Sequence, residues 1–213
     1  MNQQLQVHKY SERDFEISLS PPTIIDPAEN LLRCEISIQS SDHPDGIPFY
    51  FQTCRTKYTF DSDKNQLRLL FDPTLGATRI DQFYELLQII ERELCSKLSE
   101  ISHTYFSRPI EENVIRQKLL KSIFHVPEKL SEHIYVNLSI SDDIEVYNKS
   151  RIQISKESLS VSNVGTFILR PTYLYISRTQ TYFDLQVIMC LLDTRPQRNK
   201  TQCDFIDSDS VVG

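Results

Sequence analysis

Apolar positions along the chain recur first at every second residue, then at every third and fourth, then at every second again. Leu32, Cys34, Ile36 and Ile38 alternate with Arg33, Glu35, Ser37 and Gln39, the period of a strand with one buried face. Phe15, Ile17 and Leu19 alternate in the same way inside a Pro-broken opening, so residues 1–30 read as an arm carrying one short strand. Residues 41–46, rich in Asp, Pro and Gly, read as a turn. Residues 49–60 are dense in aromatic and β-branched side chains. A polar turn over 61–65 separates them from a second such run over 66–71, and the pair predicts a hairpin.

The period then changes. Ile80, Phe83, Tyr84, Leu87, Ile90, Leu94, Leu98 and Ile101 fall on one helical face, which predicts a long amphipathic helix over 78–101. Thr78 offers its N-cap, and Asp81 a favourable first-turn charge. Pro109 predicts the start of a second, shorter helix, with Glu111 and Glu112 in its first turn and Lys118 and Lys121 toward its end near Phe124. From residue 134 the period of two returns: strands over 135–140 and 144–147 around a turn at 141–143, then 151–154, 165–177 and 181–192. Strands, two helices and strands again predict an α+β domain over residues 1–193. The polar remainder, 194–213, is expected to be a mobile tail.

Composition narrows the chemistry. The chain has 213 residues, a net charge of −6 and only four glycines, which argues against phosphate-cradling loops. Five cysteines stand far apart with no CxxC pair, a pattern of free thiols in a reducing, intracellular compartment. No leader-like apolar segment opens the chain, and no apolar run is long enough to span a bilayer. The acidity is uneven: residues 101–200 hold thirteen basic and ten acidic side chains, and the last thirteen residues hold three Asp and no base. A mildly basic half followed by an acidic tail leaves a polyanionic partner open.

Catalytic arrangements are missing. His8, His43, His103, His125 and His133 are scattered and no Cys stands at ligand spacing, so no metal site is expected. Asp204, Asp207 and Asp209 lack the central Gly and closing Glu of a calcium loop. No GxSxG occurs. Cys54 beside Arg55 and Lys57 reads as a space-filling thiol, and the Asp pairs at 42/45, 61/63 and 142/143 read as turn chemistry. The expectation is a protein that is not an enzyme and uses no cofactor.

Binding of single strands needs cations for phosphates and aromatic faces for bases. Three stretches interleave them: Phe49 to Tyr58, His103 to Arg108, and Arg170 to Arg178 running on to Tyr182. In the first, strict alternation sets Arg55 and Lys57 on the face of Phe49, Phe51 and Thr53, and Tyr50 and Tyr58 on the other. Against this stands the plain alternative that the aromatics are core and the cations its rim.

The order of elements resembles the single-stranded-DNA-binding proteins of large eukaryotic (nucleocytoplasmic) DNA viruses, an OB-fold-related family. The residues that carry the resemblance are Thr104-Tyr105-Phe106-Ser107-Arg108 before Ile110 to Val114, Ile134 to Leu138 before Ile144 to Asn148, and Phe167-Ile168-Leu169 leading to Tyr173 to Ile176 and Tyr182 to Gln186. The resemblance implies an antiparallel, partly open OB-like barrel and sequence-nonspecific binding of single-stranded DNA in replication or repair. Phosphates would then meet Arg55, Lys57, Arg108, Arg170 and Arg178, and bases would stack on Tyr50, Tyr58, Tyr105, Tyr173, Tyr175 and Tyr182. The acidic tail would modulate binding or recruit replication proteins, and self-association stays open. The competing expectation is a non-catalytic interaction or virion assembly protein.

Overall fold

The computed structural model describes residues 7–9, 15–40, 43–129 and 132–193. The acidic tail expected over 194–213 lies outside the described residues, as does Cys203. The architecture is mixed α and β, mostly strands, with one long helix and one short one. No described helix is long and apolar enough to cross a membrane.

The N-terminal region forms more strands than its alternation predicts: β1 (Val7–Lys9), β2 (Glu16–Leu19), β3 (Thr23–Asp26), β4 (Leu31–Ser40) and β5 (His43–Pro48). The stretch expected to be a turn at 41–46 thus contributes a strand that pairs antiparallel with β4. Next come β6 (Tyr50–Gln52), β7 (Thr56–Asp61) and β8 (Gln66–Leu70). The run over 49–60 is therefore two strands, interrupted where Thr53 turns inward. The Thr53 hydroxyl donates to the Cys54 carbonyl at 2.7 Å, and the Phe167 amide donates to the Thr53 hydroxyl at 3.1 Å. This break slips the alternation by one residue. Phe49, Phe51 and Tyr58 are buried together while Arg55 and Lys57 turn outward, which overturns the faces expected from strict alternation.

Helix α1 spans Ala77–Phe106, five residues past the expected end, about 45 Å at 1.5 Å per residue. It starts after Gly76, not at Thr78. The Asp72 carboxylate accepts from the Thr74 amide at 2.8 Å to cap a short turn over Pro73–Leu75, and Gly76 at φ 125° reverses the chain into the helix, a conformation that disfavours any side chain. The predicted stripe lies inward: Ile80, Phe83, Leu87, Ile90, Leu94 and Leu98 are buried, joined by Leu86 and Cys95. The second helix is shorter than predicted. Helix α2 is only Glu112–Val114, and it widens at once into a π-type turn over Ile115–Leu119.

After β9 (Phe124–His125), strand β10 (Tyr135–Asn148) runs unbroken through the stretch expected to be a hairpin turn. Asp142 and Asp143 sit on a bulge between Ile140 and Glu145, exposed on a strand that bends. Then follow β11 (Gln153–Ile154), β12 (Val164–Ile176) and β13 (Thr181–Leu192). The sheet is not purely antiparallel, since β10 pairs parallel with β13 and β1 parallel with β6. Strand β12 bonds to β13 along one edge and to β7, β6 and β4 along the other. Through β8 and β10 the pairings therefore run from β7 to β13 and β12 and return to β7. Phe167, Leu169, Leu67, Leu69, Val136, Leu138 and Val187 on these strands are buried in the core.

Candidate nucleic-acid interface

Residues on the outward side of this sheet gather in two groups. The first stands on β12, β13 and β4. A register shift between Pro171 and Leu174 buries Pro171 and Thr172 in succession and so keeps Arg170, Tyr173 and Tyr175 all on the outward face. Pro171 cannot donate to a ladder, and such a residue belongs at a bulge. Across the antiparallel pair Tyr175 meets Tyr182, their rings stacked at 4.9 Å and 16°. Tyr173 meets Tyr175 edge-on at 6.1 Å. Arg33, opposite Tyr175 on β4, holds its guanidinium 4.4 Å from the Tyr173 centroid, a favourable cation–π placement. Under the rings the Asp184 carboxylate accepts from the Ser139 and Thr172 hydroxyls, each at 2.9 Å, and so ties β10, β12 and β13 together.

The second group stands on β8, β10 and β9. Arg68 lies over the Tyr135 ring at 4.1 Å and donates from Nε to the Asn137 side-chain oxygen at 3.3 Å. His125 stacks on Tyr135 from the other neighbouring strand, at 5.0 Å and 12°. Burial, aided by the Lys121 and Arg68 charges, holds the His125 imidazole below its ordinary pKa. The neutral ring accepts from the Asn137 amide at 3.2 Å.

A cavity of about 350 Å3 separates the two groups, lined among others by Gln66, Lys121, His125, Asn137, Gln180 and Tyr182. Its Lys121 wall is held by main chain: the Lys121 amide donates to the Thr181 carbonyl at 2.7 Å, and Glu91 accepts from the Ile123 amide at 2.7 Å and the Ser122 hydroxyl at 2.9 Å. Neutral amides, rings and an ammonium make a surface suited to flat, polar-edged ligands with attached anions.

The eleven residues expected from sequence part company here. Tyr173, Tyr175 and Tyr182 come together as described, with Tyr182 the most open at 37%. Arg170 lies beside Tyr50, 5.7 Å from its ring, with Nε buried and unpartnered. Tyr105 is half-buried, its hydroxyl 3.6 Å from the Cys34 sulfur. It lines a separate groove with Arg108 and Arg178.

Tyr58 is a correction. It is 1% exposed, its hydroxyl donates to the Leu159 carbonyl at 3.1 Å, and its ring meets Phe167 edge-on at 5.2 Å. Burial pushes its phenol up to about 12, and it offers no face to a base. Arg55 and Lys57 are committed to ion pairs with Asp193 and Asp72. By contrast Arg33, Arg68, Lys118, Lys121, Arg108 and Arg178 carry no ion pair among the described residues. Cys54 is buried, and that burial pushes its thiol up to about 11, consistent with space filling.

Arg33, Arg68, His125, Lys121 and Tyr135 were not among the expected site residues. Their alternation was readable, since Arg68 and Tyr135 both occupy the polar phase of their strands. What was not readable is that β8 and β10 pair so as to set Arg68 opposite Asn137.

No protein-family model matches the sequence, and no curated protein matches it. Among solved structures, the single-stranded DNA-binding protein from bacteriophage Enc34 is similar at 12% identity and a TM-score of 0.44, over 89% of this chain and 98% of that one. Its C-terminally truncated form gives 11% and 0.44, over 82% and 97%. The form in complex with single-stranded DNA gives 10% and 0.43, over 84% and 96%. Similarity this low assigns no residue a role.

Proposed function

We propose that this chain is a non-enzymatic binder of single-stranded DNA. Bases would stack on Tyr173, Tyr175 and Tyr182, and phosphates would lie along Arg33, Arg68 and Lys121. The observation that carries the reading is the juxtaposition of three outward tyrosines with cations that have no ion pair among the described residues, around one cavity at the sheet surface. A core-and-rim arrangement would bury such rings and pair such charges with acids, as happens at Tyr58, Arg55 and Lys57.

The strand pairing agrees with this. Pairings that run β7–β8–β10–β13–β12 and back to β7, with β10 and β13 parallel, support reading these five strands as a small OB-like barrel. Such barrels bind oligonucleotides on the face of their second and third strands and in the loops between strands one and two and strands four and five. Here those strands are β8 and β10, which carry Arg68, Tyr135 and Asn137, and the last loop is residues 177–180. Contact through ring faces and phosphates predicts little preference for base sequence. The role we propose for such binding is in DNA replication or repair.

Fluorescence anisotropy with labelled oligo-dT at about 50 and about 300 mM salt tests the reading. Binding that weakens steeply as salt rises supports it. Absence of binding at the lower salt overturns it.

A further inference from the structure

A groove of about 690 Å3 lies on the far side of the turn between β12 and β13 from the tyrosine face. Its lining includes Arg108, Lys118 and Arg178 and no acidic residue. None of these three cations has an ion pair among the described residues. We propose that this groove holds the continuation of the same single strand, so that long oligonucleotides engage a second set of residues that short ones never reach. The inference rests on the reading of the tyrosine face as a single-strand site.

Three features build the groove. Helix α1 ends at a left-handed Ser107, φ 57°, which turns Arg108 back beside Tyr105 and Phe106. Two helix hydroxyls then fasten the returning chain: Ser102 accepts from the Ile110 amide at 2.8 Å, and Ser99 donates to the Ile110 carbonyl at 2.7 Å. The opposite wall is the π-type turn carrying Lys118, closed by the Leu120 amide donating to the Ile115 carbonyl at 2.8 Å. Arg108 and Lys118 thus stand on fastened backbone, which lowers the ordering cost of meeting a polyanion.

Continuity argues for the same strand over a separate ligand. Ile176, Ser177 and Arg178 line the groove, while Gln180 and Tyr182 line the cavity of the tyrosine face. One tight turn, closed by the Ser177 amide donating to the Gln180 carbonyl at 2.9 Å, divides them. A strand leaving the Tyr175–Tyr182 stack over that turn passes Arg178 and enters a groove that carries Arg108 on one wall and Lys118 on the other. An acidic peptide would also meet three cations there, but nothing would connect it to the stack.

The test compares the full chain with its Arg108→Gln/Lys118→Gln variant on oligo-dT of about 5 and about 16 nucleotides, the span of site sizes known for such folds. The expected result is unchanged affinity for the short oligomer and about tenfold weaker binding of the long one, with its logarithmic salt slope reduced by about 1.4, or ~0.7 per phosphate. A thermal melt checks folding, and Lys118→Gln alone, on an exposed position, serves if the double variant melts early. Equal loss on both lengths overturns the inference, as does unchanged binding of the long oligomer, including the case where an oligo-Asp peptide bound by the wild type is lost by the variant. Failure of the wild type to bind either oligomer overturns the underlying single-strand reading instead.

Discussion

Residues 49–58 and 170–182 look alike in sequence, each a stretch that mixes aromatic side chains with Arg or Lys, yet the fold uses them in opposite ways. In the first, the slip at Thr53 turns Tyr58 into the core, and the outward cations are ion-paired with Asp193 and Asp72. In the second, the bulge at Pro171 and Thr172 restores the phase, so Tyr173 and Tyr175 stay outside with Tyr182 stacked beside them. One backbone irregularity removes a run from the surface and the other keeps it there. Interleaved aromatic and basic residues therefore mark a candidate surface only after strand phase and counter-ions are known.

The comparison breaks first at Tyr58. Tyr58→Ala removes a buried ring and strands the Leu159 carbonyl, and the expected cost is about 3–5 kcal/mol of stability, read by chemical denaturation. The folded fraction should bind oligo-dT as the wild type does. A stable variant that has lost binding would return Tyr58 to the site. Next in size, Tyr175→Ala and Tyr182→Ala should each weaken oligo-dT by about 1–3 kcal/mol, roughly five- to 150-fold, with melting temperatures close to wild type because both rings are partly open. Large destabilisation without loss of affinity would make this stack an ordinary packing pair.

Much of the fold was legible where one period holds over many residues. The α1 stripe and strands β12 and β13 follow the sequence pattern within a few residues, because continuous burial on one side imposes continuous periodicity. What escaped was set by distant partners. Nothing near Asp142 and Asp143 says that β10 continues, since a bulge and a turn favour the same residues. The ring closure depends on β12 reaching β7, and Arg55 finds its counter-ion 138 residues away. The site was legible by half for the same reason. Tyr173, Tyr175 and Tyr182 lie on one hairpin, whereas Arg68, Tyr135 and His125 meet only through pairings among β8, β9 and β10.

A smaller effect sharpens the account of Lys57. Asp72 is 3% exposed, and the Lys57 ammonium at 2.5 Å, with the Thr74 amide, holds its carboxyl well below the usual range. Its contribution to stability is therefore present above the unfolded value of about 3.9 and is lost as pH falls below it. Asp72→Ala should cost about 1–2 kcal/mol near neutral pH, mainly as a lost cap, and should flatten the acid side of the stability curve. Oligo-dT affinity at neutral pH should not change.

The smallest expected effect separates the two arginines that look most alike. Arg55, in the bend between β6 and β7, and Arg68, on β8, both project into solvent, but Arg55 pairs with Asp193, an acid it shares with Lys149, while Arg68 faces only the Tyr135 ring and the uncharged Asn137. A cation already paired with a carboxylate gains less from a phosphate, so Arg55→Gln should change the salt slope of oligo-dT binding less than Arg68→Gln does. Its stability cost should stay within about 0.2–1 kcal/mol, the range for an exposed pair. Arg68→Gln should lower the slope by about 0.7, the share of one single-strand phosphate. Equal slopes for both variants would mean that counter-ions within the protein do not sort its cations, and the distinction between the two regions would then rest on the tyrosines alone.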